Sequence, residues 1–419
     1  MVNSNKERGS PDFRSLASSS DDSEDFSPSA RDSVSSRRLS FHSLTFQDHL
    51  IPLSRSTDIN STSIRLEKEK SVSFASGVAL VVGLQIGSGI FSSTGFVFLN
   101  SGSVGVSLIV WIVAGLLAWT GAASYAELGA AIPLNGGPVA YLHHIFGPLP
   151  SFLFSWTAIT ALKPGGAAII AIIFAEYLLR LFPPVETNLV KKFIAVTCIL
   201  FVSGVNAWSP NSGTRTNNVF FVIKILLLLI LTGTGVFVAI RGNAVSENFS
   251  SNIFQGSSRS FGQYAIALYA GLWAYDGWDN VNYVTAEMKN PSRDLSRVIH
   301  ISEAIVVVSY VLANISYYIV LPSQTMTTTN TIAIDFGKKV FGEAGGFIFA
   351  ILVAGSCLGA LSSMTFTSSR IVYIAAHEGY LPVRLGILSK RKTPVNALLF
   401  NAGIASAIIL VCSDFKRLM

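Results

Sequence analysis

The sequence predicts an all-α, multi-span membrane protein built on an inverted repeat of five plus five helices, with interrupted first and sixth members. Three observations carry that expectation. Half of the residues are apolar and 13% are charged, with a mean hydropathy of +0.51, which is the composition of an integral membrane protein. Nine apolar segments follow one another beyond residue 70. The first and sixth are each broken at mid-length by glycine and polar residues, the sequence pointer to a binding site between inverted repeats.

Residues 1–70 are rich in Ser, Asp and Arg and poor in large aliphatic side chains, so they read as a disordered tail apart from a membrane domain spanning 71–412. Within the tail, Arg37-Arg38-Leu39-Ser40 resembles a basic kinase site, where phosphate would add charge. The tail is therefore either a contact for a kinase or ubiquitin ligase or a plain linker. No cleavable signal peptide precedes the first span. Spans are expected at 72–99, 104–132, 150–181, 191–208, 217–240, 261–286, 298–321, 343–369 and 395–412. The third is long enough to tilt, and Pro164-Gly165-Gly166 at its centre is expected to kink it. Loop charge places the tail inside: the larger share of Lys and Arg, among them Lys289, Arg293, Arg297 and Arg391, then faces the cytoplasm. Asn248-Phe249-Ser250 becomes a glycosylation sequon on the outer side. Cys198, Cys357 and Cys412 all fall in apolar segments, which argues against a disulfide framework.

In the first span, Ile86-Gly87-Ser88-Gly89-Ile90-Phe91 sets two glycines around a serine. Each glycine costs about 1 kcal/mol against alanine in a helix. Unwound backbone at membrane depth survives only where protein or a watery cavity satisfies it, so this break is expected to bind a solute. The sixth span runs Ala270-Gly271-Leu272-Trp273-Ala274-Tyr275-Asp276-Gly277-Trp278-Asp279-Asn280, with two carboxylates, two glycines and an amide between apolar arms. Ionisable residues there default to function, although Asp279 and Asn280 could instead cap a cytoplasmic end. The pair of breaks suits a zwitterion. A half-helix starting near Gly89 and Ile90 presents N–H groups and its positive end to a carboxylate, and Ser88 adds a hydroxyl. The stretch Trp273–Asp276 offers carbonyls to an ammonium, with Trp273 or Tyr275 as a cover. Two lysines also lie within spans. Lys224 either finds a carbonyl or acidic partner or snorkels to the interface. Lys163 lines the pathway or pairs with Glu127 or Asp276. Glu127 and Glu176 read as hydrogen-bonding anchors near span ends.

Several motifs in order resemble the L-type amino-acid transporters of the amino acid–polyamine–organocation superfamily, over roughly residues 72–412. They are Ile86–Phe91, Ser124-Tyr125-Ala126-Glu127-Leu128-Gly129, Phe174-Ala175-Glu176-Tyr177-Leu178-Leu179, Gly271–Asn280, Thr285-Ala286-Glu287-Met288-Lys289-Asn290-Pro291, and Thr367-Ser368-Ser369-Arg370 running into His377-Glu378-Gly379-Tyr380-Leu381-Pro382. The stretch Gly271–Tyr283 most resembles the fungal methionine permeases. The resemblance implies a LeuT-like fold and assigns Ile86, Gly87, Ser88, Gly89 and Ile90 to the substrate carboxylate. It makes Trp273 the aromatic gate and puts Ala274, Tyr275 and Asp276 where carbonyls meet the amino group. Asp276 replaces a family glycine, so its role is not inherited. Lys224 matches a lysine that fills the place of a sodium ion in coupled relatives, implying sodium independence. The outer loop at 182–190 has no cysteine, so a disulfide-linked heavy subunit is not expected. The family has twelve spans and its core fold needs ten, so a chain stopping at Met419 is expected to be truncated after about nine.

The function these readings imply is transport of neutral L-amino acids, methionine foremost, by a multi-pass protein of the plasma membrane with a cytoplasmic amino terminus. The alternative is a nutrient sensor or an inactive truncated member of the same fold. An enzyme is not expected: no metal cluster, nucleophile–base pair or phosphate loop is visible, and Gly83–Gly89 interrupts a span with no preceding strand. No cofactor, metal or nucleic-acid partner is called for, since the basic residues sit where membrane topology explains them. A channel is disfavoured because no repeated filter or ring of charges appears.

Overall fold

A computed structural model describes residues 72–182, 187–208, 210–241, 247–249 and 252–411, apart from the side chains of 210–216 and 247. These residues fall within one unit, Leu53–Met419. The tail 1–70 with its Ser40 motif, Ser250 of the sequon and Cys412 lie outside this description.

The regular structure of the described residues is helical, with a single isolated bridge between Val72 and Met288. The helices are α1 (Phe74–Gln85), α2 (Gly89–Ser101), α3 (Val104–Ala131), α4 (Pro138–Phe146), α5 (Pro148–Thr157), α6 (Lys163–Leu179), α7 (Asn188–Trp208) and α8 (Pro210–Arg241). They continue with α9 (Phe261–Ala274), α10 (Pro291–Val320), α11 (Ser323–Thr328), α12 (Ile332–His377) and α13 (Val395–Val411). Local chemistry sets many of the ends. Ser73 and Ser103 cap α1 and α3, their hydroxyls accepting from the N–H groups of Ser76 at 3.2 Å and Val106 at 3.4 Å. Prolines open α4, α5 and α10, where a missing N–H costs nothing.

The third span bends differently from the expected kink. Helices α5 and α6 are joined by a π-helical turn, Ala158–Leu162, and pass together as one long span from Pro148 to Leu179. Pro164 cannot donate to the carbonyl one turn back, and the wider turn just before it absorbs that loss. Helix α12 runs well beyond the apolar core that marks it, turning at Gly342 with φ 70°. That left-handed conformation is one only glycine adopts readily.

Among the described residues α3, α7, α8, α10, α12 and the joined α5–α6 are long and apolar enough to cross a membrane, and α1 with α2, meeting at a 42° bend, makes a seventh span if counted as one. Helix α13 is apolar but shorter, and the sixth segment is a 14-residue helix, α9, followed by a turn and a 3₁₀ stretch over Asn280–Glu287. Leu116, Leu117, Phe201, Leu229, Phe237 and Phe347 point outward, as lipid-facing positions should in a multi-pass protein. Inside, α10 packs on α3, α1 and α8, while α12 packs on α6, α8 and α7, and α2 lies along α9. Trp111, Tyr177, Tyr310, Tyr317, Phe336 and Phe349 fill the interior.

One end of this bundle is tied by the residues flanking its breaks. The Val72 N–H donates to the Glu287 carbonyl at 3.0 Å, and the Lys289 N–H donates to the Val72 carbonyl at 3.1 Å. Arg370 of α12 forks onto Glu287, Nε to Oε1 at 2.9 Å and Nη2 to Oε2 at 3.4 Å, with its guanidinium 3.5 Å from the Phe366 ring centre. Both partners are largely buried, at 14% and 9% side-chain exposure. Removing one member of such a pair leaves an uncompensated buried charge, at about 3–5 kcal/mol. Arg370→Ala should therefore lower the thermal midpoint of the purified chain sharply. Lys338→Ala, which breaks an exposed pair with Glu343, should cost less than about 1 kcal/mol; equal shifts would contradict this picture.

Candidate functional site

The two breaks meet. At the end of α1 the chain leaves helical geometry over Ile86–Ser88 and restarts as α2 at Gly89. A Cβ on Gly89 would lie 2.7 Å from the Ala274 Cα, so the start of α2 touches the end of α9 backbone to backbone. From the other side Gly277, with φ +116°, rests on the Leu84 side chain, 2.7 Å from where its own Cβ would be. Both contacts require glycine. Side chains from neighbouring helices then bind the loosened backbone. Ser356 of α12 donates to the carbonyls of Ile86 at 3.0 Å and Gly87 at 3.2 Å. The Tyr310 hydroxyl of α10 reaches the Gln85 and Ala274 carbonyls, one from each break. Gln85 crosses the junction itself, its Nε2 donating to the Tyr275 carbonyl at 3.0 Å.

A narrow cavity of about 30 Å³ lies between these breaks and helices α6 and α12, with Gly87, Ser88, Gly89, Trp273, Ala274 and Asp276 on one wall and Gly166, Ile170 and Met364 on the other. The amides at the start of α2 precede its own hydrogen-bond ladder, and the hydroxyls of Ser92, Ser93 and Thr94 turn back to the carbonyls of Ser88, Gly89 and Ile90. The positive end of α2 thus faces this cavity.

The structure divides the expected site residues. Gly87, Ser88, Gly89, Trp273, Ala274 and Asp276 line the cavity together, and Asp276 is exposed to it. Ile86 and Ile90 are fully buried and do not line it. Tyr275 does not cover the site: its ring is buried among Trp111 at 6.0 Å and Tyr310 at 4.9 Å. The carbonyls of Ala274 and Tyr275 already accept from Tyr310 and Gln85.

Lys224 is fully buried rather than snorkelling, and its Nζ donates to the Gly83 carbonyl of α1. Its Cε lies beside Gly359 of α12, so a fixed ammonium sits between the first and eighth segments. Lys163 forms its ion pair with Asp279, Nζ lying 3.7 Å from Oδ2 and 4.7 Å from the Tyr283 ring centre, and its charge also acts on Asp276. Tyr283 donates to the same carboxylate oxygen at 2.7 Å, so Asp279 is more than a helix cap. Glu127 is exposed near the end of α3 and lines no part of the cavity. Glu176 pairs with Lys191 at 3.3 Å.

Sequence reasoning missed Tyr310, Ser356 and Glu303, and passed over Gln85. Glu303 is a fully buried acid of α10 that accepts from Gln85 Nε2 at 2.6 Å. An acid inside the seventh apolar segment was the available signal. Nothing in the sequence separates Tyr310 or Ser356 from any other polar residue of a helix interior.

A family described as "Amino acid permease" matches residues 72–418. The chain is 39% identical over 370 residues to the b(0,+)-type amino acid transporter 1 of Mus musculus, covering 87% of this chain and 74% of that protein. It is 38% identical over 356 residues to the large neutral amino acids transporter small subunit 2 of the same species, covering 84% and 66%. Among solved structures, MhsT in complex with L-phenylalanine superposes with a TM-score of 0.57 at 13% identity, covering 80% of this chain and 78% of the other. This likeness shows the LeuT-type arrangement of two broken helices within a bundle.

If Tyr310 holds the junction, Tyr310→Phe should destabilise the chain by about 1–3 kcal/mol, the cost of buried acceptors left without a donor. Thermal unfolding followed by tryptophan fluorescence checks this; an unchanged midpoint would show that the two carbonyls do without that hydroxyl.

Proposed function

Since the chain belongs to the amino acid permease family, we propose that it carries neutral L-amino acids across a membrane by alternating access, with methionine its leading substrate. One observation carries this reading: both breaks open onto the same cavity, with the amide end of α2 and the acceptor groups of the sixth segment on its wall. The substrate carboxylate is placed against the N–H groups at Ser88, Gly89 and Ile90, where helix dipole and free amides favour an anion. The ammonium is placed toward the Asp276 carboxylate beside Trp273, because the carbonyls of Trp273, Ala274 and Tyr275 already accept from the Asp276 N–H, Tyr310 and Gln85. Trp273 serves as the gate over the bound head group. Lys224, bound to the Gly83 carbonyl, does the work of a sodium ion, so transport needs none.

The name of the large neutral amino acids transporter relative supports the neutral substrate class. Methionine rests on the likeness of Gly271–Tyr283 to the fungal permeases. The transport domain covers residues 71–412, set in the plasma membrane with the amino terminus in the cytoplasm and without a disulfide-linked heavy subunit.

Uptake of radiolabelled methionine by permease-deficient cells expressing the full chain tests this. Gly89→Leu, which drives a side chain into the Ala274 backbone, should abolish uptake while surface expression persists; normal uptake would sink the site assignment. Replacing sodium by choline should leave uptake unchanged, and strong sodium dependence would overturn the role given to Lys224.

A further inference from the structure

Two turns before Tyr310 on α10, Glu303 is fully buried, and the transport reading leaves it without a task. Its Oε1 accepts from Gln85 Nε2 at 2.6 Å, and the same amide nitrogen donates to the Tyr275 carbonyl at 3.0 Å. Glu303 Oε2 and Gln85 Oε1 are both buried and have no hydrogen-bond partner among the described residues. Both are acceptors, so neither can satisfy the other.

The titratable and charged groups around Glu303 leave it without a counter-ion. The phenols of Tyr275, from the sixth segment, and Tyr310, on α10 itself, face it. From α3 comes Trp111, whose ring packs on both tyrosines. Lys224 of α8 is engaged by the Gly83 carbonyl, and His300, one turn earlier on α10, accepts from Trp119 Nε1 at 2.9 Å. No Lys, Arg or His forms an ion pair with Glu303 among the described residues. A bare carboxylate in such a place would cost several kcal/mol.

One proton answers both orphaned oxygens. A carboxylic acid and a primary amide pair head to head, with the amide N–H on the acid carbonyl oxygen and the acid O–H on the amide oxygen. The amide's second hydrogen stays free for the Tyr275 carbonyl. We infer that Glu303 and Gln85 form a proton-binding site, and that amino-acid transport by this chain moves a proton through it. The coupling half of this inference rests on the transport reading; the proton site does not.

The link to the cavity is Gln85. With the proton on Glu303 Oε2, the amide is held so that Nε2 ties α1 to the sixth segment. When the O–H bond breaks, the proton passes to water on the side to which the junction has opened and a carboxylate remains. The Gln85 oxygen then faces that carboxylate, the amide turns, and the tie to Tyr275 is released.

Infrared difference spectra of the purified full chain read the proton directly. Wild type minus Glu303→Gln should show the C=O stretch of a protonated acid, and Glu303→Asp, which keeps the acid, should shift that band. A carboxylate band in its place would overturn the proposal and leave the Tyr275 phenol or water as the partner of Oε2. In vesicles carrying an internal pH dye, methionine influx should acidify the lumen. Glu303→Gln, an amide in place of the acid, should still exchange methionine in counterflow but acidify nothing and lose the pH dependence of influx. Acidification by Glu303→Gln equal to wild type would overturn the coupling. If the wild-type chain shows no counterflow, transport itself fails, and the infrared bands still decide the proton site.

Discussion

The structure depends on a contact that has no side chain in it. Where α2 begins, Gly89 lies against the backbone of Ala274, so two helices broken in mid-bundle touch at their loose ends. Everything nearby follows from that proximity. The backbone groups freed by each break are too far from solvent to be left alone, since an unsatisfied polar group in an apolar medium costs several kcal/mol. Helices α10 and α12 therefore turn polar side chains inward at this depth: Tyr310 to one carbonyl from each break, Ser356 to two successive carbonyls of the first.

This division of labour explains which backbone groups remain for a ligand. The carbonyl side of the sixth segment is largely consumed by the protein, whereas the amide side of the first break is left facing the cavity. The proposed reading follows this asymmetry, seating an anionic group at those amides and a cationic one near Asp276. The same economy places the buried Lys224 amine on the Gly83 carbonyl. Exchange of glycine for a larger residue at position 89 or 277 would part the breaks, and the cavity would lose its shape before any contact to a ligand was removed.

The breaks themselves were legible in the sequence because glycine and polar residues interrupt apolar runs at Ile86–Phe91 and Gly271–Asn280, and that interruption is a local signal. What holds them was not. Tyr310 and Ser356 meet their carbonyls across 225 and 270 residues of chain, and a hydroxyl in an apolar helix carries no mark of its partner. Lys224 was legible as a buried cation in need of an acceptor, but the ion pair of Lys163 with Asp279, across 116 residues of chain, carries no local mark. Tyr275 reads as a cover for the site from its place in the break, yet helix α9 ends so that its ring turns into the aromatic cluster with Trp111 and Tyr310.

The central claim is that the amide end of α2 holds the carboxylate of an amino acid at the junction of the two breaks. A structure of the full chain with L-methionine bound tests it most directly. The account predicts the carboxylate oxygens within hydrogen-bond distance of the amides at Ser88–Ile90, with the ammonium toward Trp273 and Asp276. Methionine seated elsewhere, for example in the larger cavity beside Arg370, Tyr373 and Leu398, or bound at the junction with its carboxylate reversed, would contradict it.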